Sequence, residues 1–143
     1  MITTIRATAR EARPRRLPST LLWAVQILLA AMFLFTAVAP KLAGSHSSVQ
    51  EFGLIGAGQW FRYFVGVIEL VGAIGLLIPW LAGLAAVWLA GDMAGATIVN
   101  ATVLRNTTYG PEVWVTMVLC AAFVLIGYGR RRQIMSLVAA ARR

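Results

Sequence analysis

Phe64-Val65-Gly66-Val67-Ile68-Glu69-Leu70-Val71-Gly72-Ala73-Ile74-Gly75-Leu76-Leu77-Ile78, then Pro79-Trp80, then Leu81-Ala82-Gly83-Leu84-Ala85-Ala86-Val87-Trp88-Leu89-Ala90-Gly91-Asp92-Met93-Ala94-Gly95-Ala96-Thr97-Ile98-Val99, reads as two apolar runs divided by a proline, each with one carboxylate inside it. Each run, with its flanking residues, approaches the roughly 20 residues that a bilayer-crossing helix needs. Pro79 suits the first position of the second helix, where its missing N–H would be unpaired anyway. The expected spans are therefore 63–78 and 79–103, joined so tightly that they must lie antiparallel and adjacent. Ala82, Ala86, Ala90 and Ala94 form one small-residue stripe, Gly83, Gly91 and Gly95 mark its neighbour, and Gly66, Gly72, Ala73 and Gly75 surround Glu69. Such residues let membrane helices approach closely, although they are common in any membrane helix.

Working outward, 21–39 is a nineteen-residue apolar run interrupted by Gln26 and Thr36. Preceded by basic residues and ending Ala37-Val38-Ala39, it also imitates a signal peptide. Its length exceeds the usual apolar region of about 7 to 15 residues, and Pro40 would follow the cut, so it reads as the first span. Pro40-Lys41-Leu42-Ala43-Gly44-Ser45-His46-Ser47-Ser48 then reads as a helix stop and polar loop. Val49, Phe52 and Ile55 space a short interfacial helix, ended by Gly56-Ala57-Gly58, and Gln59-Trp60-Phe61-Arg62-Tyr63 carries the aromatics and cation of a membrane boundary. A second loop spans Leu104 to Pro111. Its Asn106-Thr107-Thr108 sequon lies too near the bilayer to count as a glycosylation site. The fourth span is 113–128, closed by Gly127, Gly129 and Arg130-Arg131-Arg132, after which Gln133 to Arg143 can form a short surface helix.

Composition agrees. Of 143 residues, 59% are hydrophobic and the mean hydropathy is +0.77, more than a soluble core of this size can hide. The expected fold is all-α: an integral membrane four-helix antiparallel bundle, with residues 1–18 and 130–143 as basic tails around a domain at 19–129. The formal charge of +8 would suggest nucleic acid if the cations lay on one face. Instead Arg6, Arg10, Arg13, Arg15 and Arg16 precede the spans and Arg130, Arg131, Arg132, Arg142 and Arg143 follow them, leaving Lys41, Arg62 and Arg105 elsewhere. That pattern excludes a nucleic-acid partner, implies a lipid bilayer, and puts both termini in the cytoplasm. The lone Cys120 and lone His46 offer neither a disulfide nor a metal site. Cys120 reads as packing, His46 as solvated, and Trp88 and Trp114 as lipid-facing or packing residues.

At a rise of about 1.5 Å per residue, Glu69 lies about 15 Å and Asp92 about 20 Å from the Pro79 turn, both near the middle of a core about 30 Å thick. A lone ionised carboxylate there costs several kcal/mol, so each must be protonated, paired or wetted. The available cations are Lys41 and Arg62, the latter two helical turns from Glu69 on the same face; Arg105 is too far from Asp92. A Glu–Lys or Glu–Arg pair can simply fasten helices. Two midplane acids served by two cations at helix ends also suit a ligand-facing cavity, formed by Lys41, Glu69, Asp92 and Asn100, with Gly66, Gly72, Gly91 and Gly95 leaving room and the opening on the side of the long loop.

Leu34-Phe35-Thr36-Ala37-Val38-Ala39-Pro40-Lys41-Leu42, Phe52-Gly53, and Val67 through Pro79 resemble the DoxX-like family of four-helix bacterial membrane proteins, over roughly Leu21 to Gly129. The most specific elements are Lys41-Leu42 and Glu69. The resemblance implies a multi-pass protein of the bacterial cytoplasmic membrane, associated with quinone-linked sulfur oxidation and membrane oxidoreductase complexes. Such proteins often carry a histidine near the outer end of the third span, where this chain has Asn100; that departure weakens any proton-relay or metal role borrowed from the family. The reading that follows is an accessory or anchoring subunit, more a non-catalytic component than a stand-alone enzyme. Its expected partners are oxidoreductase subunits or a second copy of the chain, and its polar site, formed by Lys41, Arg62, Glu69, Asp92 and Asn100, serves a quinone or a proton. No covalent cofactor and no metal are expected, and no catalytic residue is singled out. The competing reading is a small-solute carrier or a membrane assembly or scaffold factor without a redox role.

Overall fold

The computed structural model describes residues 19–142, so the reading of 1–18 as a cytoplasmic tail lies outside the described residues. Those described are helical throughout: α1 (Ser19–Phe33), a wider π-helical turn (Leu34–Val38), α2 (Ala39–Ala43), α3 (His46–Ile55), α4 (Gln59–Leu77), α5 (Ala82–Thr102), α6 (Glu112–Gly129) and α7 (Arg131–Ala141). Four stretches are long and apolar enough to cross a membrane: Ser19–Ala43, Gln59–Leu77, Ala82–Thr102 and Glu112–Gly129. Side chains such as Leu28, Phe35, Val71, Trp88, Trp114 and Leu125 point outward, exposed from 54% to 77%, as lipid-facing positions should be.

The first span runs four residues past its expected end. Pro40 does not stop it, because the turn just before is loosened. The Ala39 N–H reaches back five residues to the Leu34 carbonyl, and this extra width accommodates a residue that lacks a donor and crowds the preceding turn. The helix ends at Gly44, whose φ of 71° is a left-handed conformation suited to glycine. His46-Ser47-Ser48, expected in the loop, instead begin α3, because the Ser45 hydroxyl accepts a hydrogen bond from the Ser48 N–H at 3.3 Å and caps the helix. At the hairpin, Pro79 is not the first helical residue. Residues 78–81 form a turn and α5 starts at Ala82, whose N–H bonds the Ile78 carbonyl.

The core lies between α1, α4, α5 and α6, around Phe33, Ala73, Leu76, Ala86, Leu89 and Phe123. Phe33 and Phe123 meet edge to face with ring centroids 5.6 Å apart. Of the expected small-residue stripe, Ala82, Ala86 and Ala90 are buried whereas Ala94 is exposed. At the turn end, Gln26 on α1 is fully buried: its amide donates to the Leu76 carbonyl at 2.9 Å, and its oxygen accepts from Arg130 Nε at 2.9 Å and Nη2 at 2.5 Å. Leu76 O belongs to the last turn of α4, whose carbonyls have no partner within the helix, so one side chain on α1 ties the end of α4 to the start of α7. Arg130 also lies over the Trp23 ring, 4.8 Å from its centroid.

Candidate functional site

Toward the opposite end, where α3 and the loop 103–111 lie, the bundle is hollow. A partly open cavity of about 600 Å³ is bounded by α1, α2, α3, α4, α5 and α6, with Phe33 at the edge of the packed core. The volume is within the range of about 300–1,000 Å³ usual for ligand pockets.

The local sequence explains how its polar groups arrive there. Gly66, one turn ahead of Glu69, lets α2 press onto α4: a Cβ at Gly66 would sit 2.9 Å from Leu42 and 3.3 Å from Lys41 Cβ. This close approach places Lys41 over Glu69, with Nζ donating to Oε1 at 2.6 Å and Oε2 at 2.8 Å. Glu69 is 1% exposed and the Lys41 side chain 16%, so the pair is largely shielded from solvent. It is the one salt bridge among the described residues.

Arg62 does not reach Glu69. Its guanidinium donates to the Lys41 carbonyl and to Gln59 Oε1 at 2.7 Å, and lies 4.1 Å from the Tyr63 ring centroid. The C-terminal carbonyls of a helix are short of donors and carry the negative end of its dipole, so the end of α2 competes successfully for this cation. Arg62 therefore fastens the mouth of the site without lining it, and Lys41 stands alone among the acids.

Asp92 and Asn100 line the cavity from α5. Asp92 Oδ2 is buried without a hydrogen-bond partner. Asn100 is 4% exposed and its side chain makes no hydrogen bond among the described residues. Gly95 borders open space in the cavity, with nothing within 4 Å of where a Cβ would be. The other three glycines expected to leave room do not: Gly66 is filled by Leu42, Gly72 by Leu89, and Gly91 faces outward.

Two further acids come from segments read in the sequence as an interfacial helix and a span boundary. Glu51 on α3 and Glu112 at the start of α6 both line the cavity. Burial raises the Glu51 carboxyl above its ordinary pKa, the negative charge of Glu112 raises it further, and Lys41 opposes the shift. Tyr109 holds this mouth in shape, its hydroxyl donating to the Ser47 carbonyl at 3.1 Å and lying 3.3 Å from Gln50 Oε1. Four of the chain's five acidic residues thus border one cavity, against a single lysine. No group of three or more histidine, cysteine or acidic side chains is arranged to hold a metal among the described residues. Cys120 is a free thiol beside the Ala90 carbonyl, at 3.4 Å, and packs α6 on α5.

The sequence signal for Glu51 was faint. On α3 it follows Ser47 and Ser48 by one turn, a polar strip opposite Val49, but nothing local says that this strip covers a cavity. A family profile described as the DoxX-like family matches residues 24–127. No curated protein and no solved structure matches the chain.

Proposed function

The chain belongs to the DoxX-like family, and from that premise and the cavity's geometry we propose that it is an accessory or anchoring subunit of an oxidoreductase complex in the bacterial cytoplasmic membrane, its cavity taking the head of a quinone. The observation that carries this is a cavity lined by both mid-span carboxylates and the buried Asn100 side chain, in which, among the described residues, Asp92 Oδ2 is without a partner. A quinone carbonyl needs donors, which Lys41 Nζ and the Asn100 amide can supply. A quinol needs acceptors, which Asp92 and Glu69 can supply. The ring and hydrocarbon tail suit walls made of Phe33, Phe52, Phe61, Met93 and Leu119. Quinone would supply the electron chemistry when bound. This chain's residues would orient it, exclude water and hold a proton at Asp92 or Glu69. The sequence carries no dinucleotide or haem motif, so electron transfer is assigned to a partner subunit.

The test is mass spectrometry of lipids retained by the protein purified in mild detergent, together with titration by a short-tail decylbenzoquinone. The expected result is about one quinone per chain in wild type and at least a tenfold loss of affinity in Asn100→Leu, which removes a donor and fills the space. Equal retention by both variants would sink the reading. The proposed orientation has both termini in the cytoplasm. It predicts that cysteines at Ser47 and Thr107 are labelled by an impermeant reagent in intact cells, and labelling only after permeabilisation would reverse it.

A further inference from the structure

A quinone head makes use of the donors in this cavity and of Asp92 and Glu69, and leaves Glu51, Glu112 and the surplus of negative charge unexplained. Glu51, Glu69, Asp92 and Glu112 all border the space, in a chain whose formal charge is +8, while Lys41 is the one cation among the lining residues. That lysine is already engaged by both oxygens of Glu69. Arg62, the other cation at this end, is turned onto the Lys41 carbonyl and Gln59 and contributes nothing to the lining. The remaining negative charge faces a space that also presents two unmet polar groups: Asp92 Oδ2, sealed and without a donor, and the Asn100 side chain, more than nine-tenths buried and unbonded among the described residues.

The geometry points to a lipophilic ammonium ion, a protonated amine carried on a hydrocarbon body, as a ligand of this cavity. Each part of the site has a counterpart in that chemistry. An ammonium brings up to three N–H donors, which match the Asp92 carboxylate, Asn100 Oδ1 and one mouth carboxylate. Its charge restores the balance that Lys41 alone leaves short. The faces of Phe52, Phe61 and Tyr109 on the same walls attract an alkylammonium through their ring quadrupoles. The apolar lining around Phe33, Met93 and Leu119 accommodates the hydrocarbon. A bare metal ion fits poorly, since the described residues bring no three acidic, histidine or cysteine side chains together as ligands. An anionic amphiphile would meet four carboxylates.

The inference does not rest on the quinone reading, and one experiment separates them. Wild-type protein in uncharged maltoside micelles is titrated with octylammonium, with 1-octanol and octanoate as neutral and anionic controls of the same chain length, and separately with decylbenzoquinone. Octylammonium is expected to bind saturably and more tightly than either control. Asp92→Asn keeps the side chain's shape and removes its charge, and should weaken octylammonium about tenfold or more while leaving octanol unchanged. Glu51→Gln, at the cavity mouth and outside the packed core, provides a second variant should Asp92→Asn fold poorly, with a smaller loss in the same direction. Octylammonium binding no better than octanol, or unaffected in whichever of the two variants folds, overturns the inference. Quinone binding with no ammonium binding leaves only the previous reading standing, and the converse leaves only this one.

Discussion

The two ends of this bundle each contain a polar cross-link inside the membrane-spanning region, and they differ in what is left over. At the turn end, Gln26 meets Leu76 O with its amide and Arg130 with its oxygen, beside a packed core. Among the described residues, Gln133 Oε1 at the start of α7 is the one side-chain atom that is buried and unmet there. At the loop end, Lys41 and Glu69 satisfy each other, yet among the described residues Asp92 Oδ2 has no partner, beside a cavity that Asn100 also lines. Burying a polar group without a partner is costly wherever it occurs. A satisfied cross-link beside a packed core therefore marks a structural clamp, and an unmet polar group beside open space marks the end available to a ligand.

Breaking the loop-end cross-link should have the largest effect on stability. Glu69→Leu removes the partner of a shielded ammonium and is expected to destabilise the protein by roughly 3 to 5 kcal/mol, whereas Glu69→Gln, which still accepts a hydrogen bond, should cost much less. Denaturation in detergent, followed by circular dichroism, checks it; equal stability of wild type and Glu69→Leu would mean that the pair contributes nothing. Gln26→Leu tests the other clamp. It strands Leu76 O and takes an acceptor from Arg130, so a loss of about 1 to 3 kcal/mol is expected, with ligand binding in the distant cavity unchanged. A coupled loss of binding would erase the distinction between the two ends.

The smallest effect concerns pH at the mouth. The folded protein holds the Glu51 proton more tightly than the unfolded chain does, because of burial and Glu112, with Lys41 acting against both. Its stabilising contribution is present below the ordinary carboxylate range and is lost as pH rises through the raised value in the folded state. Melting temperatures measured from acid to neutral pH should therefore show wild type falling relative to Glu51→Gln as pH increases. Parallel curves would mean that the Glu51 environment is no different from water.

Much of this comparison could be read from the sequence, because the deciding forces there are local. Four apolar runs, the tight Pro79 hairpin, and the depth of Glu69 and Asp92 follow from residue counting and the scarcity of water in a bilayer. The departures come where two segments compete for one group. Arg62 had Glu69 within reach on its own helix, but the carbonyl at the end of α2 was an acceptor that no spacing rule exposes. Pro40 is an ordinary helix stop unless the preceding turn widens, and α2 continues because it does. Gln26 read as a polar interruption because its two partners lie 50 and 104 residues away. Glu51 and Glu112 entered the site for the same reason: the surface of α3 and the start of α6 become neighbours only once the bundle has closed.

The reach of Gln26 also puts the protein's assembly on a clock. Lys41 and Glu69 are 28 residues apart in the chain, so their pair can form as soon as the second span is inserted. Arg130 is translated 104 residues after Gln26, about 5 to 20 seconds later at ordinary ribosomal rates. Throughout that interval the first span carries an amide whose final acceptor and donor set is incomplete, and the nascent bundle stays open at its turn end. Arg130 is thus the last partner to reach this cross-link. A chain stopped after Gly129 should be degraded faster in pulse-chase measurements than full-length protein, and Gln26→Leu should narrow that gap by removing the group that waits.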